Sequence, residues 1–327
     1  MRRKPPIKTN NGASCHQRGI ARRRGPAEDA ACTMSKLATP SNYATTALVA
    51  ALCVVWSSTW WAIRVCLEHQ PPISSCAVRF AIAGLAMAAI TPWMSARERA
   101  PAPKKWLWIT CGLTNFGAGY GVLYIAETVV PSGIAAVLWA IFPLLMAASA
   151  TCFLGERLRR QQWLGFAVSF AGIVVVFSGD LGGIEGQNVG YAWLLLLSPL
   201  LAALGTTLVK KYGSDDSSVL LNRNGMLIGA ALLAAWAFAT EDPLSMAWPL
   251  EAIIATTYLA LMGTTMTFGI YFWLLRTAPA SMLALINYVI PVLAMLFAAL
   301  VGDGEHGALA WAGASLVVCG VAMVVRR

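Results

Sequence analysis

The chain has 327 residues, 58% of them hydrophobic and 12% charged, with a mean hydropathy of +0.64 and a formal net charge of +9. Soluble domains carry about a quarter charged residues, so half that share at this hydropathy excludes an ordinary globular fold and points to an all-α polytopic membrane protein. The eight cysteines sit mostly singly in apolar runs without a CxxC, and His16, His69 and His306 have no metal-ligand spacing. Metal sites and nucleophilic catalysis therefore have no support in the sequence, and no cofactor is expected.

Residues 1–40 hold nine Lys and Arg residues against Glu28 and Asp29. No apolar run follows the charges closely, so the segment is not a secretory signal and reads as a disordered basic tail facing the cytoplasm. An Arg-rich transit peptide and a translation start at Met34 are the alternatives. A bilayer-spanning helix needs roughly 20 apolar residues. Ten segments meet this in order: 44–64, 72–94, 106–126, 132–153, 162–178, 189–209, 219–239, 250–273, 279–301 and 308–325. Trp93, Trp106, Trp163, Trp248 and Trp311 fall at span edges, as interfacial anchors do.

With the N-terminus inside, the tail and the inner loops collect 21 of the 24 basic residues. The outer loops "GDLGGIEGQN", "TEDPLSMAWP" and "GDGEHG" contain none. The positive-inside rule thus predicts cytoplasmic N- and C-termini in a multi-pass plasma (inner) membrane protein. Arg64, Arg79 and Arg223 are the exceptions, within or at the end of a span.

A shift of 148 residues lays Pro131 on Pro279 and Pro143 on Pro291. It also lays Trp163, Gly165 and Gly172 on Trp311, Gly313 and Gly320. The chain reads as two five-helix units, 44–178 and 189–326. Five is odd, so the second unit enters the bilayer from the opposite side. Inverted repeats of this kind build alternating-access carriers that hold substrate near the midplane.

Several stretches carry a family resemblance. They are "WSSTWWAIR" (56–64), "PPISSCAVRF" (71–80), "PSGIAAVLWAIFPLL" (131–145), "FLGERL" (153–158) and "QQWLGFAVSFAGIVVV" (161–176). Together they resemble the EamA-type branch of the drug/metabolite transporter superfamily, over roughly residues 44–326. The second half departs from the pattern at "VGDGEHG", where Glu305 is displaced by one position against Glu156. The resemblance implies a ten-span carrier of small metabolites, often an exporter, whose substrates range over amino acids, sugars, nucleotide derivatives and toxic organic compounds.

Charges at membrane depth are costly and normally face the bundle interior. Arg79 and Arg223, approximate counterparts in the two repeats, are candidate gate or anion-contact residues; the alternative is that they satisfy helix-end carbonyls or snorkel to headgroups. Glu127 ends span 3 and is the candidate for proton coupling or for a substrate amine, against a plain interfacial role. Arg64 reads as an interfacial anchor, Glu156 as a local ion-pair and loop residue, and Lys210 and Lys211 as topology charges. The substrate-binding candidates are Asn115, Tyr120 and Tyr124 in span 3, Trp139 in span 4, and Asn287 and Tyr288 in span 9, with Tyr271, Thr264 and Thr265 of span 8 weaker. Trp139 and Asn287 each lie four residues before a proline, which frees the carbonyl of the residue four places earlier. Helix packing is the competing explanation for all of them.

The function expected is a secondary transporter exporting a small neutral, zwitterionic or cationic solute, an amino acid among them, and possible proton coupling is part of that expectation. A nucleotide-sugar or organic-phosphate exchanger is the alternative within transport, and an integral-membrane enzyme or scaffold the alternative outside it. No Walker-A motif is present, which argues against ATP-driven pumping by this chain. The expected partners are the lipid bilayer and the small-molecule substrate, with no nucleic acid, in a monomer or homodimer.

Overall fold

A computed structural model describes residues 42–130, 132–179, 188–301 and 307–326. The basic tail with Met34, Pro131, the 180–187 loop and the segment with Glu305 and His306 lie outside the described residues. Among the described residues there are helices and no strand.

Each of the ten predicted spans has its helix. In chain order they are α1 (Asn42–Leu67), α2 (Pro72–Glu98), α3 (Lys105–Cys111, Gly112–Ala118 and Gly119–Glu127), α4 (Ser132–Trp139 and Phe142–Phe153) and α5 (Arg160–Val176). The second set is α6 (Asn188–Tyr212), α7 (Ser218–Thr240), α8 (Leu250–Ala260, Leu261–Met266 and Thr267–Thr277), α9 (Ala280–Ala284 and Ile286–Val301) and α10 (Ala308–Val325). Seven helices among the described residues are long and apolar enough to cross a membrane by length and composition. Of the other three predicted spans, α5 has 17 residues, α9 contributes the shorter apolar helix Ala280–Leu296, and α3 is not among the seven.

The interruptions recur in both halves. Gly112–Ala118 in α3 and Leu261–Met266 in α8 are π-helical, and they fall at equivalent places under the 148-residue shift. A π turn widens the helix and leaves carbonyls short of their usual partners. Side chains five residues on fill that need: the Thr264 hydroxyl donates to the Leu259 carbonyl at 2.8 Å and the Thr265 hydroxyl to Ala260 at 2.9 Å. α4 breaks at Ala140 and Ile141, just before Pro143, as the proline predicts. In α9 the break is at Leu285, and Pro291 lies inside the following segment.

Helix α2 runs antiparallel to α7, and each carries at its C-terminal end the acid that caps the other's start. The Glu241 carboxylate accepts from the Ile73 and Ser74 amides, both at 2.8 Å, and from the Ser74 hydroxyl at 2.7 Å. The Glu98 carboxylate accepts from the Ser218 amide at 2.8 Å and from the hydroxyls of Ser217 and Ser218 at 2.5 and 2.6 Å. The first amides of a helix have no internal partner, and a carboxylate there also meets the positive end of the helix dipole. Glu156 caps α9 in the same way, through the Ala280 amide at 2.7 Å and the Ser281 hydroxyl. The local ion pairing expected of Glu156 is thus replaced by a cap on a distant helix.

The W-x-G…G repeat finds its explanation in α5 and α10. A Cβ at Gly165 would stand 2.7 Å from the Gly320 carbonyl oxygen, and one at Gly172 would stand 2.8 Å from that of Gly313. The contacts are reciprocal, so each glycine of one repeat meets the non-equivalent glycine of the other, as a two-fold axis in the membrane plane requires. Small residues let two backbones touch where lipid supplies no hydrophobic drive. Gly172→Leu is expected to destabilise the chain by at least about 2 kcal/mol. Gly190→Ala, where an added Cβ meets nothing within 4 Å, is expected to be neutral or stabilising. Unfolding of the purified variants in detergent, followed by intrinsic fluorescence, checks the pair.

Candidate functional site

The interruptions surround a central cavity with about 900 Å³ of empty space, counted out to its open side. Trp56, Thr59, Trp60 and Ile63 face it from α1, a three-and-four spacing that puts all of them on one side of the helix. Asn115 and Tyr120 come from α3, Trp139 and Phe142 from α4, Thr206 from α6, Phe268 and Tyr271 from α8, and Asn287 and Pro291 from α9. Arg79 of α2 completes the wall.

Arg79 is 2% exposed. Its Nε donates to the Thr264 hydroxyl at 2.8 Å, Nη1 to the Tyr124 hydroxyl at 3.1 Å and Nη2 to the Gly263 carbonyl at 3.4 Å. Its guanidinium carbon stands 5.0 Å from the Tyr120 ring centre and 5.5 Å from that of Phe80. The α8 π turn supplies both Thr264 and the Gly263 carbonyl, so that distortion serves to hold the buried cation. The α3 π turn presents Asn115, whose Oδ1 accepts from the Thr206 hydroxyl at 3.1 Å. Rings knit the wall together: Trp56 lies 5.5 Å from Phe268 and 5.7 Å from Tyr271, and Phe116 lies 5.0 Å from Phe268. Such pairs add about 0.5–1.5 kcal/mol each beyond their buried area.

Arg79, Asn115, Trp139, Tyr271 and Asn287 therefore meet around one space, as candidates drawn from five different helices. Tyr124 stands behind Arg79 and holds it in place. Tyr288 does not join them: it is fully buried on the other side of α9, and its hydroxyl donates to the Phe166 carbonyl of α5 at 3.2 Å. Asn287, its chain neighbour, points the other way because adjacent residues on a helix do not share a face. Arg223 is also elsewhere, half-buried in the second turn of α7, with Nε donating to Asn224 Oδ1 at 3.0 Å. The expected pairing of Arg79 with Arg223 as equivalent cavity cations is not what the fold produces. Glu127 lies in a second hollow lined by Trp60, Arg64, Leu67, Glu68, Thr128 and Val130. Its Oε1 is buried and has no hydrogen-bond partner. Trp60 separates this hollow from the central cavity and belongs to the wall of both.

The opposite end of the bundle is tied by charge. Lys210 Nζ donates to the carbonyls of Leu275, Arg276 and Ala278 at 2.7, 3.2 and 3.1 Å, closing the end of α8. The Arg276 guanidinium pairs with Glu98 at 2.7 Å and donates to the Ser214 carbonyl at 3.2 Å. Lys210, read from sequence as a topology charge, is a structural tether as well. Sequence reasoning missed the α1 wall; its signal was the spacing of Trp56, Thr59, Trp60 and Ile63. It also missed Thr206 and Phe268, which carry no local signal distinct from packing, whereas Tyr120, named with Asn115 and Tyr124, does line the cavity. No cluster of acids, histidines and cysteines suited to a metal occurs among the described residues.

Two inverted five-helix units around a polar and aromatic cavity define an integral multi-pass membrane protein with the architecture of a transporter. The EamA-like transporter family matches residues 44–178 and again 189–326, and the chain belongs to that family. It is 29% identical over 278 residues to an uncharacterized inner membrane transporter of Escherichia coli strain K12, YedA, covering 84% of this chain and 88% of that one. It is also 29% identical over 282 residues to a Streptantibioticus cattleyicolor protein named "Probable terminal-alkyne amino-acid exporter", covering 84% and 91%. A solved crystal structure superposes with a TM-score of 0.74 at 20% identity, covering 87% of this chain and 97% of the other, which shows the shared fold. Family and relatives are transporters rather than enzymes.

Thr264 bridges Arg79 and the carbonyl left by the π turn, so its hydroxyl serves two partners. Thr264→Val is expected to lower stability by about 2–4 kcal/mol, and Thr264→Ser to recover most of the loss. Thermal unfolding of the three proteins in detergent measures both effects.

Proposed function

We propose that this transporter is a secondary carrier of the inner membrane that exports a small organic solute by alternating access. The observation that carries the reading is the central cavity itself. It lies between two inverted units, is walled by rings, amides and hydroxyls from helix middles, and is flanked by breaks in α3, α4, α8 and α9. Such breaks are where a helix bends at low cost, and a pocket between repeats is where inverted-repeat carriers hold substrate. The tied end with Lys210, Arg276 and Glu98 fits a closed cytoplasmic gate, and the hollow with Glu127 fits the external mouth. The name of the S. cattleyicolor relative adds support for an amino acid among the solutes. A nucleotide-sugar or organic-phosphate exchanger is disfavoured, because among the described residues Arg79 is the one basic residue on the cavity wall.

In proteoliposomes, a panel of amino acids, organic acids, sugars, nucleosides and organic cations is expected to yield saturable counterflow for at least one class. No exchange of any solute by folded protein overturns the carrier reading. Glu127 is the proposed proton site, since its Oε1 is buried without a partner beside the cavity entrance. Glu127→Gln is expected to abolish stimulation by a pH gradient while leaving counterflow intact; unchanged stimulation removes Glu127 from coupling. For orientation, a green fluorescent protein fused after Arg327 is expected to fluoresce and an alkaline phosphatase fused there to be inactive, since both termini are proposed to be cytoplasmic.

A further inference from the structure

We infer that the central cavity is a carboxylate site. Its solute carries one carboxylate on a compact apolar or aromatic body, and the carboxylate docks on Arg79. The inference rests on the carrier reading above and adds the substrate class.

The argument begins with charge. A guanidinium remains protonated in a protein and has five N–H donors. Three of those on Arg79 go to Thr264, Tyr124 and the Gly263 carbonyl, all uncharged oxygens. Each Nη has one further N–H beyond these bonds, with the Tyr120 side chain beside the guanidinium, on a residue that is 2% exposed and forms part of the cavity wall. Among the described residues no Asp or Glu lines the cavity and none is in ion-pair contact with Arg79; Glu127, in the neighbouring hollow, acts on it only at longer range. The rings of Tyr120 and Phe80 ease the burial of this charge without neutralising it. A buried cation without a counter-ion in contact is costly, and a solute carboxylate supplies one.

The second argument is the imbalance of hydrogen-bonding groups. The indole Nε1 atoms of Trp56 and Trp139 and the hydroxyl of Tyr271 are buried and have no partner, and all three residues line this same cavity. An indole N–H can only donate. Together with the two further N–H groups of Arg79, the wall offers donors that seek acceptors. A carboxylate has about four acceptor positions and no donor, which matches that surplus. A simple ammonium ion brings only donors and a second positive charge. Beside the polar Thr59, Asn115, Thr206 and Asn287, the rest of the wall is ring and aliphatic surface, suited to the solute's body. One arginine balances one negative charge, so dianions such as phosphate esters are disfavoured. Of the neutral, zwitterionic and cationic solutes expected from sequence, this reading keeps the zwitterions and adds simple carboxylates.

The test uses three probes that share one body: hydrocinnamate, its neutral amide hydrocinnamamide, and the cation phenethylamine. Binding to the purified full chain is measured by calorimetric titration, for the wild type and for Arg79→Gln, Trp139→Phe and Tyr271→Phe. The wild type is expected to bind hydrocinnamate at least about tenfold more tightly than either other probe, and Arg79→Gln to bring the acid-to-amide ratio near one. A merely structural Arg79 would change stability and leave that ratio alone. Should Arg79→Gln fail to fold, the two milder variants carry the test, each expected to weaken the acid severalfold and the amide little. Equal binding of acid and amide, preference for the amine, or no binding of any probe overturns the inference. Counterflow separates this failure from the broader one. Exchange of amines or sugars with acids excluded sinks the carboxylate site and leaves the carrier standing, whereas exchange of nothing in the panel sinks both.

Discussion

The lipid bilayer offers no water to a helix end, so every terminal amide at or near membrane depth needs a protein partner. In this chain that need is met between the two halves. Glu98 at the end of α2 closes the start of α7, and Glu241 after the end of α7 closes the start of α2. The exchange fixes the two helices antiparallel and in one axial register. Much else depends on it. Ser74 is bound by Glu241, and Arg79 lies five residues further along the same helix, so the cap sets the depth at which the buried cation sits. The glycine contacts of α5 with α10 repeat the same reciprocity at a second place in the bundle.

Against this regular frame stand the interruptions. A π turn and a broken helix each give up internal hydrogen bonds, which hydrocarbon would not tolerate. Here side chains and a neighbouring helix meet part of that loss. Thr264 and Thr265 return hydroxyls to the carbonyls that the α8 turn leaves, and Thr264 then holds Arg79. In α3 the glycines around the turn bring it close to α7: a Cβ at Gly112 would be 2.7 Å from the Gly225 carbonyl oxygen. The α3 turn supplies Asn115 to the cavity wall and the α8 turn holds Arg79, which lines it, while Leu113, Leu261 and Met262 stay exposed on the outer side. That combination gives the wall polar groups held from behind by the distorted turns.

The two halves share a scaffold but not a charge pattern. Helix caps, π turns and glycine contacts have counterparts in both. Arg79 has none in the cavity, because Arg223 falls on α7 away from it, and Lys210 and Arg276 tie one end of the bundle only. Symmetric backbone packing is compatible with two related arrangements of the halves. The asymmetric side chains are free to differ in what they hold and which end they close.

Composition and spacing by themselves determined the membrane class, the ten spans and the five-plus-five repeat. These follow from apolar length, from charge placement and from the 148-residue echo of prolines and glycines, all of which are one-dimensional properties. The proline spacing also marked Trp139 and Asn287, since a missing N–H acts on a residue of its own helix. Tertiary structure alone decided the rest. Whether Glu156, Glu98 and Glu241 pair locally or cap distant helices depends on which ends meet across more than a hundred residues. That Asn287 faces the cavity while Tyr288 turns to Phe166 depends on helix rotation, which spacing fixes only relative to a neighbour not yet known. That no acid among the described residues touches Arg79 is likewise a property of the assembled space, because a charge is paired or unpaired only by what the fold brings beside it.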